Sequence, residues 1–414
     1  MIRILEANQA GKLLARKAAR FQEAESVVRP ILEDVRKRGD RALIEYARKF
    51  DGLDRRSVAV ANSELDAAAA RLRPAFRSAV RTAARNIRAF ASMQLPPAGT
   101  RQVAPGLRLG QIVRPLDTVA SYIPGGRYPL PSTLMMTVVP AQVAGVPNIC
   151  VASPSGVDEV LGTARLLNAN RVFQMGGAQA IAAFAYGTRT VPKADRIVGP
   201  GNIYVAAAKK LLAGEVGIDF IAGPTEILIL ADNGEPAWIA ADMLAQAEHD
   251  VDASAILLTS SKRLAQGVAR EIERQLETLP TVAVARKAID RNSAILLVRS
   301  LEEGIELSNR FAPEHLSVPD RKMLGAIRHA GSVFVGPYSP EAAGDYASGP
   351  NHVLPTSGAA RLRGGLSAAD FVKVISVQEL SPAALERLEP AITTLARAEG
   401  LEAHARSVEV RTRG

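Results

Sequence analysis

The sequence has little cysteine, few aromatic residues and no long apolar run. Cys150 is the only cysteine among 414 residues, so no intramolecular disulfide can form, which fits a reducing compartment. No stretch approaches the roughly 20 uncharged apolar residues that are needed to cross a bilayer. Charges are scattered among the apolar positions near the N-terminus, whereas a signal peptide has a separate apolar block. We therefore expect a cytoplasmic protein without a membrane partner.

The positive charge is spread along the chain instead of being clustered. The formal net charge is +9 and aromatic residues make up 4% of the sequence. A nucleic-acid-binding protein would concentrate Lys and Arg on one face and offer aromatic rings for stacking. We expect no nucleic-acid partner, and a basic surface instead favours anionic cofactors.

The apolar pattern predicts an α/β fold. From Ala24 to about Phe90 the spacing is helical, with a break at Gly39 and Asp40. After Gly99, short apolar runs alternate with helical stretches, which is typical of parallel sheets covered on both faces. The predicted strands are Thr118–Ile123, Asn148–Ala152, Arg171–Gln174, Arg196–Val198, Glu226–Leu230, Ser254–Leu258, Ala294–Val298 and Ser332–Val335.

Cys150 lies in one of these predicted strands, in the sequence VPNICVASP. A single cysteine in an oxidising enzyme can act as a nucleophile that forms a thiohemiacetal. Buried thiols are usually inert, however, so we interpret Cys150 as a packing residue.

Four of the five histidines lie beside carboxylates, amides or tight turns, in the sequences QAEHD, APEH, GDYASGPNH and EAH. On a helix, Gln246 and His249 would leave the same face and could bind one metal ion. A surface helix is the alternative interpretation of this pair. Asp345 also suits a turn, and His404 also suits a helix surface.

In APEH, Pro313 favours the first turn of a helix, which predicts that Glu314 and His315 lie at an exposed helix N-terminus. A carboxylate and an imidazole there can act as general base and acid. The alternative is that the glutamate only interacts with the helix dipole.

The usual dinucleotide-binding fingerprint GxGxxG is absent. YIPGG, MGGAQA and GPGN each end a predicted strand and precede a helix. Free backbone N–H groups at such positions can hold a pyrophosphate. Three of them within one block of the chain favour an anionic cofactor.

Taken together, these motifs resemble the histidinol dehydrogenase family from about residue 20 to the end of the chain. The strings that carry the resemblance are RGDRALIEYARKFDG, YIPGGRYPLPS, QMGGAQAIAAFAYGT, VGPGNIYVAAAKK, AGPTEILILAD, LAQAEHD, FAPEHL, GDYASGPNHVLPT and EGLEAHARSVEVR. Their order and spacing are specific to that family.

The resemblance implies a role for particular residues. It assigns Glu314 and His315 to acid/base catalysis. It assigns one zinc ion per subunit to Gln246, His249, Asp345 and His404. It assigns the substrate L-histidinol to those six residues together with Thr225, His352 and Glu399. It assigns NAD to Tyr122, Gln179 and Asn202.

The resemblance also implies two incomplete Rossmann-like lobes, related to aldehyde dehydrogenases, with a helical N-terminal segment and a C-terminal arm that clasps the partner of a homodimer. His404 would reach the zinc site of the other subunit. The expected division is an N-terminal segment, a discontinuous large lobe, an inserted lobe with the NAD site, and the arm. These span residues 1–17, 18–121 with 232–366, 122–231, and 367–414.

The implied reaction is the last step of histidine biosynthesis, a four-electron oxidation of L-histidinol through L-histidinaldehyde to L-histidine with two NAD molecules. A related zinc- and NAD-dependent enzyme for another hydroxyl compound, such as a hydroxyalkyl sulfonate, is the nearest alternative. Glu399 disfavours it, because a carboxylate attracts an amine and repels a sulfonate. A catalytically inactive scaffold is disfavoured because every expected site residue is present. The segment ARLRGGLSAADF departs from the family pattern and bears on substrate choice.

Overall fold

The computed structural model describes residues 1–9, 11, 21–125, 128–169, 171–221 and 223–413. Part of the expected N-terminal segment, residues 10 and 12–17, and part of the YIPGGRYP stretch, residues 126 and 127, lie outside the described residues. The α-helices are α1 Phe21–Arg38, α2 Asp40–Asp51, α3 Asn62–Arg71, α4 Pro74–Ser92, α5 Pro131–Val143, α6 Asp158–Leu166, α7 Gly177–Tyr186, α8 Ile203–Leu212, α9 Pro236–Ala247, α10 Lys262–Leu276, α11 Val282–Asn292, α12 Leu301–Phe311, α13 Glu341–Tyr346, α14 Pro382–Ala398 and α15 Glu402–Thr412.

The strands form two parallel sheets and one antiparallel sheet. The strands are β1 Arg3–Glu6, β2 Gly99–Ala104, β3 Leu107–Pro115, β4 Thr118–Tyr122, β5 Asn148–Ser153, β6 Arg171–Gln174, β7 Arg196–Val198, β8 Gly217–Ile218, β9 Glu226–Leu230, β10 Ser254–Thr259, β11 Ala294–Leu297, β12 His315–Val318, β13 Ser332–Val335 and β14 Val372–Leu380. The parallel sheets have the orders β1-β11-β10-β9-β12-β13 and β6-β5-β4-β7-β8, and the antiparallel sheet has the order β14-β3-β2.

The predicted α/β architecture is confirmed. All eight predicted strands are present, with ends that differ by at most one residue. β9 is buried at every position, as expected for a strand covered on both faces. The unpredicted strands include β2, which is exposed along its whole length and therefore has no apolar run. No helix in the part of the chain that the structure describes is long and apolar enough to span a membrane.

The N-terminal helices pack on the five-stranded sheet. Val28 of α1 and Leu43 of α2 share an apolar core with Phe184 of α7, and Ile87 of α4 shares another with Leu134 of α5. The apolar faces of these helices therefore find their partners on helices of the five-stranded sheet. β1 pairs with β11, so residues 3–6 extend the six-stranded sheet.

The strand order of the five-stranded sheet creates a crevice. The chain proceeds from β4 to β5 and β6 on one side and then returns to β7 and β8 on the other. In parallel α/β sheets, ligands bind outside the carboxyl ends of the strands where the order reverses. Tyr122 ends β4 and Gly199 follows β7, so the YIPGG and GPGN loops lie at this crevice.

A buried ion pair supports the GPGN loop. The ammonium of Lys209 contacts the carboxylate of Asp219, and the two side chains are 3% and 1% exposed. Lys209 also donates to the Gly199 carbonyl at 3.0 Å, and Asp219 accepts from the Gly199 N–H at 2.8 Å. The pair therefore holds both backbone groups of Gly199.

Removing one partner of this pair is expected to be costly. Lys209→Met leaves a buried carboxylate without its cation, so we expect a loss of about 3–5 kcal/mol in the free energy of unfolding. Urea denaturation followed by circular dichroism measures it. Lys193→Met is the matched control, because Lys193 and Glu215 form an exposed pair, and its loss should be below about 1 kcal/mol. Equal losses for the two variants would contradict the assigned role of Lys209.

Candidate active site

The candidate site lies at the amino ends of β9 and β12 in the six-stranded sheet. Thr225 immediately precedes β9, and His315 begins β12, where it is paired with Ile227. The prediction that Pro313 begins an exposed helix is wrong. The preceding helix α12 has already ended at Phe311, its C-cap Ala312 has a φ of 53°, and the chain then enters the sheet. Glu314 and His315 are consequently buried, at 5% and 3% exposure.

Gln246 and His249 reach the site from the end of α9. The helix ends at Ala247, so Gln246 lies in its last turn whereas His249 follows it. The predicted shared helix face is therefore only partly correct. His249 still approaches Asp345, with 3.8 Å between Nε2 and Oδ2, and Asp345 raises the pKa of His249 above its usual value.

Glu341 is a buried site residue that the sequence interpretation missed. Glu341 and Asp345 are four residues apart on α13 and share a face. Glu341 is 3% exposed, and its Oε1 lies 3.1 Å from Nδ1 of His315. The amide of Gln246 contacts the Glu341 carboxylate on one side and lies 2.7 Å from the Thr225 hydroxyl on the other. The spacing of the two acids in EAAGD was the available signal.

The two ring nitrogens of His315 differ in their hydrogen-bond partners. Nδ1 lies 3.2 Å from the Glu226 carbonyl, which can only accept, so Nδ1 carries a proton. Nε2 is buried, has no hydrogen-bond partner among the described residues, and lies 3.7 Å from Asp345 Oδ1. Burial lowers the pKa of His315, but Glu341, Glu314 and Asp345 outweigh it and raise the pKa to about 10.

The carboxylates of the site differ in their surroundings. Glu314 Oε2 accepts from the Thr225 hydroxyl at 2.6 Å and from the Glu226 N–H at 2.9 Å, and burial raises the pKa of Glu314. Burial raises the pKa of Glu341 to about 8. Burial also opposes ionisation of Asp345, but contacts with His249 and His315 hold its pKa well below the usual range.

These side chains can hold a metal ion. One possible ligand atom from each of His315, Glu341 and Asp345 lies within 4.8 Å of the other two. Gln246 and His249 flank this group through their contacts with Glu341 and Asp345. Several carboxylates buried together require a compensating cation, and imidazole and oxygen donors suit zinc. The residues that are present therefore fit a divalent metal.

His352 links the site to the five-stranded sheet. Its Nδ1 donates to the Asp345 carbonyl at 2.7 Å, and its Nε2 lies 3.3 Å from the hydroxyl of Thr133, in the first turn of α5. Burial lowers the pKa of His352, which favours the neutral ring. Asn351 also donates to the Met136 carbonyl of α5 at 2.7 Å.

His404 and Glu399 lie outside this cluster. Both are exposed, His404 on α15 and Glu399 at the end of α14. Within the described residues, no hydrogen bond or ion pair joins either side chain to Asp345 or His249. The structure of one chain thus brings together Thr225, Gln246, His249, Glu314, His315, Asp345 and His352 but leaves the two arm residues apart.

The residues expected at the NAD site lie at the carboxyl edge of the five-stranded sheet, Tyr122 at the end of β4, Gln179 in the first turn of α7 and Asn202 just before α8. The Tyr122 hydroxyl accepts from the Gly177 N–H at 3.1 Å. Gln179 is 1% exposed and donates to Asp51 at 3.0 Å. Asn202 is exposed and caps α8 by accepting from the N–H groups of Tyr204 and Val205. Of the three, only Asn202 is open to solvent.

Comparison with known proteins gives a consistent result. The sequence profile of the histidinol dehydrogenase family matches residues 14–412. Histidinol dehydrogenase from Geobacter metallireducens is 48% identical over 413 residues, and that from Bacillus anthracis is 45% identical over 409 residues; each alignment covers 97% of this chain and 95% of the relative. The crystal structure of histidinol dehydrogenase from Elizabethkingia anophelis has a TM-score of 0.94 and 37% identity, and covers 100% of this chain and 98% of that chain.

Glu341 is expected to support metal binding. Glu341→Gln removes a buried carboxyl group beside Gln246 and His315 that a bound cation would hold in its ionised form, so we expect zinc affinity to fall by about 10- to 100-fold. Competition with a fluorescent chelator measures it. Glu248→Gln is the control, because Glu248 adjoins His249 in sequence but accepts from the Thr281 hydroxyl instead. Unchanged zinc affinity in Glu341→Gln would contradict this role.

Proposed function

The chain belongs to the histidinol dehydrogenase family, and from this we propose that it oxidises L-histidinol to L-histidine with two NAD molecules and one zinc ion per subunit. This is the last step of histidine biosynthesis. The observation that carries the proposal is the buried group of Glu314, His315 and Asp345, in which the imidazole Nε2 has no hydrogen-bond partner within the part of the chain that the structure describes. The comparisons give no support to a hydroxyalkyl sulfonate as the substrate.

In the proposed zinc site, Gln246, His249 and Asp345 are joined by His404 of the partner subunit. Zinc is redox-inert, and when bound it would supply a Lewis acid that grips the imidazole and amine of histidinol or polarises its oxygen. Glu341 lies against Gln246 and His315 and adds negative charge. This charge favours a divalent cation at Asp345.

His315 is the proposed base for the alcohol. Nδ1 donates toward the Glu226 carbonyl and Glu341, which leaves Nε2 to accept the proton of the substrate hydroxyl. The neighbouring carboxylates raise the pKa of His315; a bound metal ion would balance their charge and lower this pKa, which would leave Nε2 free to accept a proton. NAD, when bound, would accept the hydride in each of the two oxidations.

Glu314 is the proposed base for water in the second half of the reaction. Its contacts with Thr225 and the Glu226 N–H hold one oxygen in place, and its raised pKa makes the carboxylate a stronger base. The carboxylate can then take a proton from water as the water adds to the aldehyde. Thr225, His352 and Glu399 are the further residues proposed to hold histidinol.

The proposed NAD site is the crevice at the ends of β4 and β7, with Tyr122, Gln179 and Asn202 around it. The Thr133 contact with His352 joins this crevice to the acid/base group. The first turn of α5 is therefore linked through His352 to the helix that carries Asp345. Hydride transfer requires the substrate and the cofactor to be close together, and this link between the two sites supports the proposal.

We further propose a cytoplasmic homodimer without a nucleic-acid or membrane partner. The C-terminal arm exposes large apolar side chains, with Leu395 65% and Val410 68% exposed. Such residues are more stable when a partner covers them. The position of His404 on this arm suits delivery of a ligand to the other subunit.

The stoichiometry of the reaction tests the proposed function. We expect two NADH for each L-histidinol, measured by absorbance, with the activity lost on chelation and restored by zinc. One NADH would mean that the reaction stops at the aldehyde and that Glu314 has another role. No NADH would refute the proposed substrate.

Variants of the acid/base pair should separate the two oxidations. Glu314→Gln should slow oxidation of L-histidinaldehyde by about 10²- to 10⁴-fold, because water loses its base. The first oxidation of L-histidinol should be affected less, whereas His315→Asn should slow it by a comparable factor. Single-turnover measurements with each substrate make the comparison. Equal loss of both steps in Glu314→Gln would contradict the assignment.

A further inference from the structure

The helix α2, Asp40–Asp51, carries two aspartates at its ends, and both reach loops of the five-stranded sheet. It lies within the sequence RGDRALIEYARKFDG, to which the proposed reaction assigns no role. Ala42, Leu43 and Ala47 are buried in the core that contains α7. The helix therefore has a fixed position relative to the loops at both of its ends.

Asp51 binds the loop that carries the MGGAQA motif. Its Oδ2 accepts from the Gly176 N–H at 2.9 Å and from Nε2 of Gln179 at 3.0 Å. Gly176 precedes α7 and Gln179 lies in its first turn. A single carboxylate oxygen thus holds both a backbone group of the glycine loop and a side chain expected at the NAD site.

The backbone of Gly176 packs closely against Asp51 and Pro154. A Cβ at Gly176 would lie 2.9 Å from Oδ1 of Asp51 and 2.8 Å from Pro154. A Cβ at Gly125, in the YIPGG loop, would likewise clash with Cγ of Pro154. The Tyr122 hydroxyl accepts from the N–H of Gly177, the residue after Gly176. A displacement of Gly176 would therefore disturb two of the three glycine loops.

We propose that Asp51 is a positioning residue for the NAD site, which acts by holding the Gly176–Gln179 turn in the shape that binds the dinucleotide. This inference rests on the proposed use of NAD. Asp51 contacts neither the acid/base pair nor the expected zinc ligands among the described hydrogen bonds. Its removal should therefore weaken NAD binding while leaving histidinol and zinc binding as they are.

Asp40 provides a matched control on the same helix. It accepts from the Thr190 N–H at 3.2 Å and from the Thr190 hydroxyl at 2.7 Å. Asp40 also accepts from Nε of Arg189 at 3.5 Å, so it anchors the other end of α2 with at least as many hydrogen bonds as Asp51, but to a loop that carries no glycine motif. A purely structural role of the helix predicts equal effects for the two aspartates.

The experiment measures the dissociation constants of NAD and zinc, the KM of histidinol and the unfolding midpoint for Asp51→Ala, Asp51→Asn and Asp40→Ala. We expect Asp51→Ala to weaken NAD binding roughly tenfold with an unchanged KM for histidinol and unchanged zinc binding. Asp51→Asn keeps an oxygen that can accept from both donors, so it should restore most of the affinity. Asp40→Ala should lower only the unfolding midpoint.

Three outcomes would overturn the proposal: unchanged NAD affinity in Asp51→Ala, equal weakening in Asp40→Ala, or failure of Asp51→Asn to bind NAD better than Asp51→Ala. If Asp51→Ala does not fold, Asp51→Glu supplies the same comparison, because the extra methylene displaces the accepting oxygen. If the unaltered chain binds no NAD at all, the proposed function fails, and this inference fails with it. NAD binding by the unaltered chain with no effect at Asp51 refutes this inference alone.

Discussion

Negative charge buried at the amino ends of two strands is the constraint on which the site depends. Glu314, Glu341 and Asp345 surround His315, and the two glutamates are almost fully removed from water. Ionised carboxylates in such a position are strongly unfavourable unless cations and hydrogen bonds compensate them. His315 supplies one compensating charge and His249 can supply another. The remaining imbalance explains why this part of the fold suits a divalent ion.

The arrangement of the two parallel sheets brings two kinds of site together. The acid/base group lies at the amino ends of β9 and β12, whereas the glycine loops follow the carboxyl ends of β4, β6 and β7. Contacts from Asn351 and His352 to α5 join the two edges. Helix N-termini that follow parallel strands suit an anionic cofactor, and these lie at the carboxyl edge of the five-stranded sheet. The titratable side chains lie at the amino edge of the six-stranded sheet.

Much of this could be predicted from the sequence because the signals are local. Buried parallel strands are short apolar runs, so all eight predicted strands were found. β2 and β14 were missed because exposed antiparallel strands lack such runs. Pro313 was misleading because its preference for a first helical turn is a local tendency, and pairing of β12 with β9 and β13 outweighs it. Glu341 was missed because its importance comes from its partners, which are distant in sequence.

The sequence alone determined the α/β class, the family and the identity of most candidate residues. Periodicity, motif order and residue chemistry are properties of the linear sequence and do not depend on packing. Tertiary structure decided which of those residues contact each other, which are buried, and which ring nitrogen of His315 is hydrogen-bonded. It also revealed the contacts of Glu341 and Asp51. Burial and hydrogen bonding depend on packing between segments that are far apart in sequence, and local patterns carry no information about that packing.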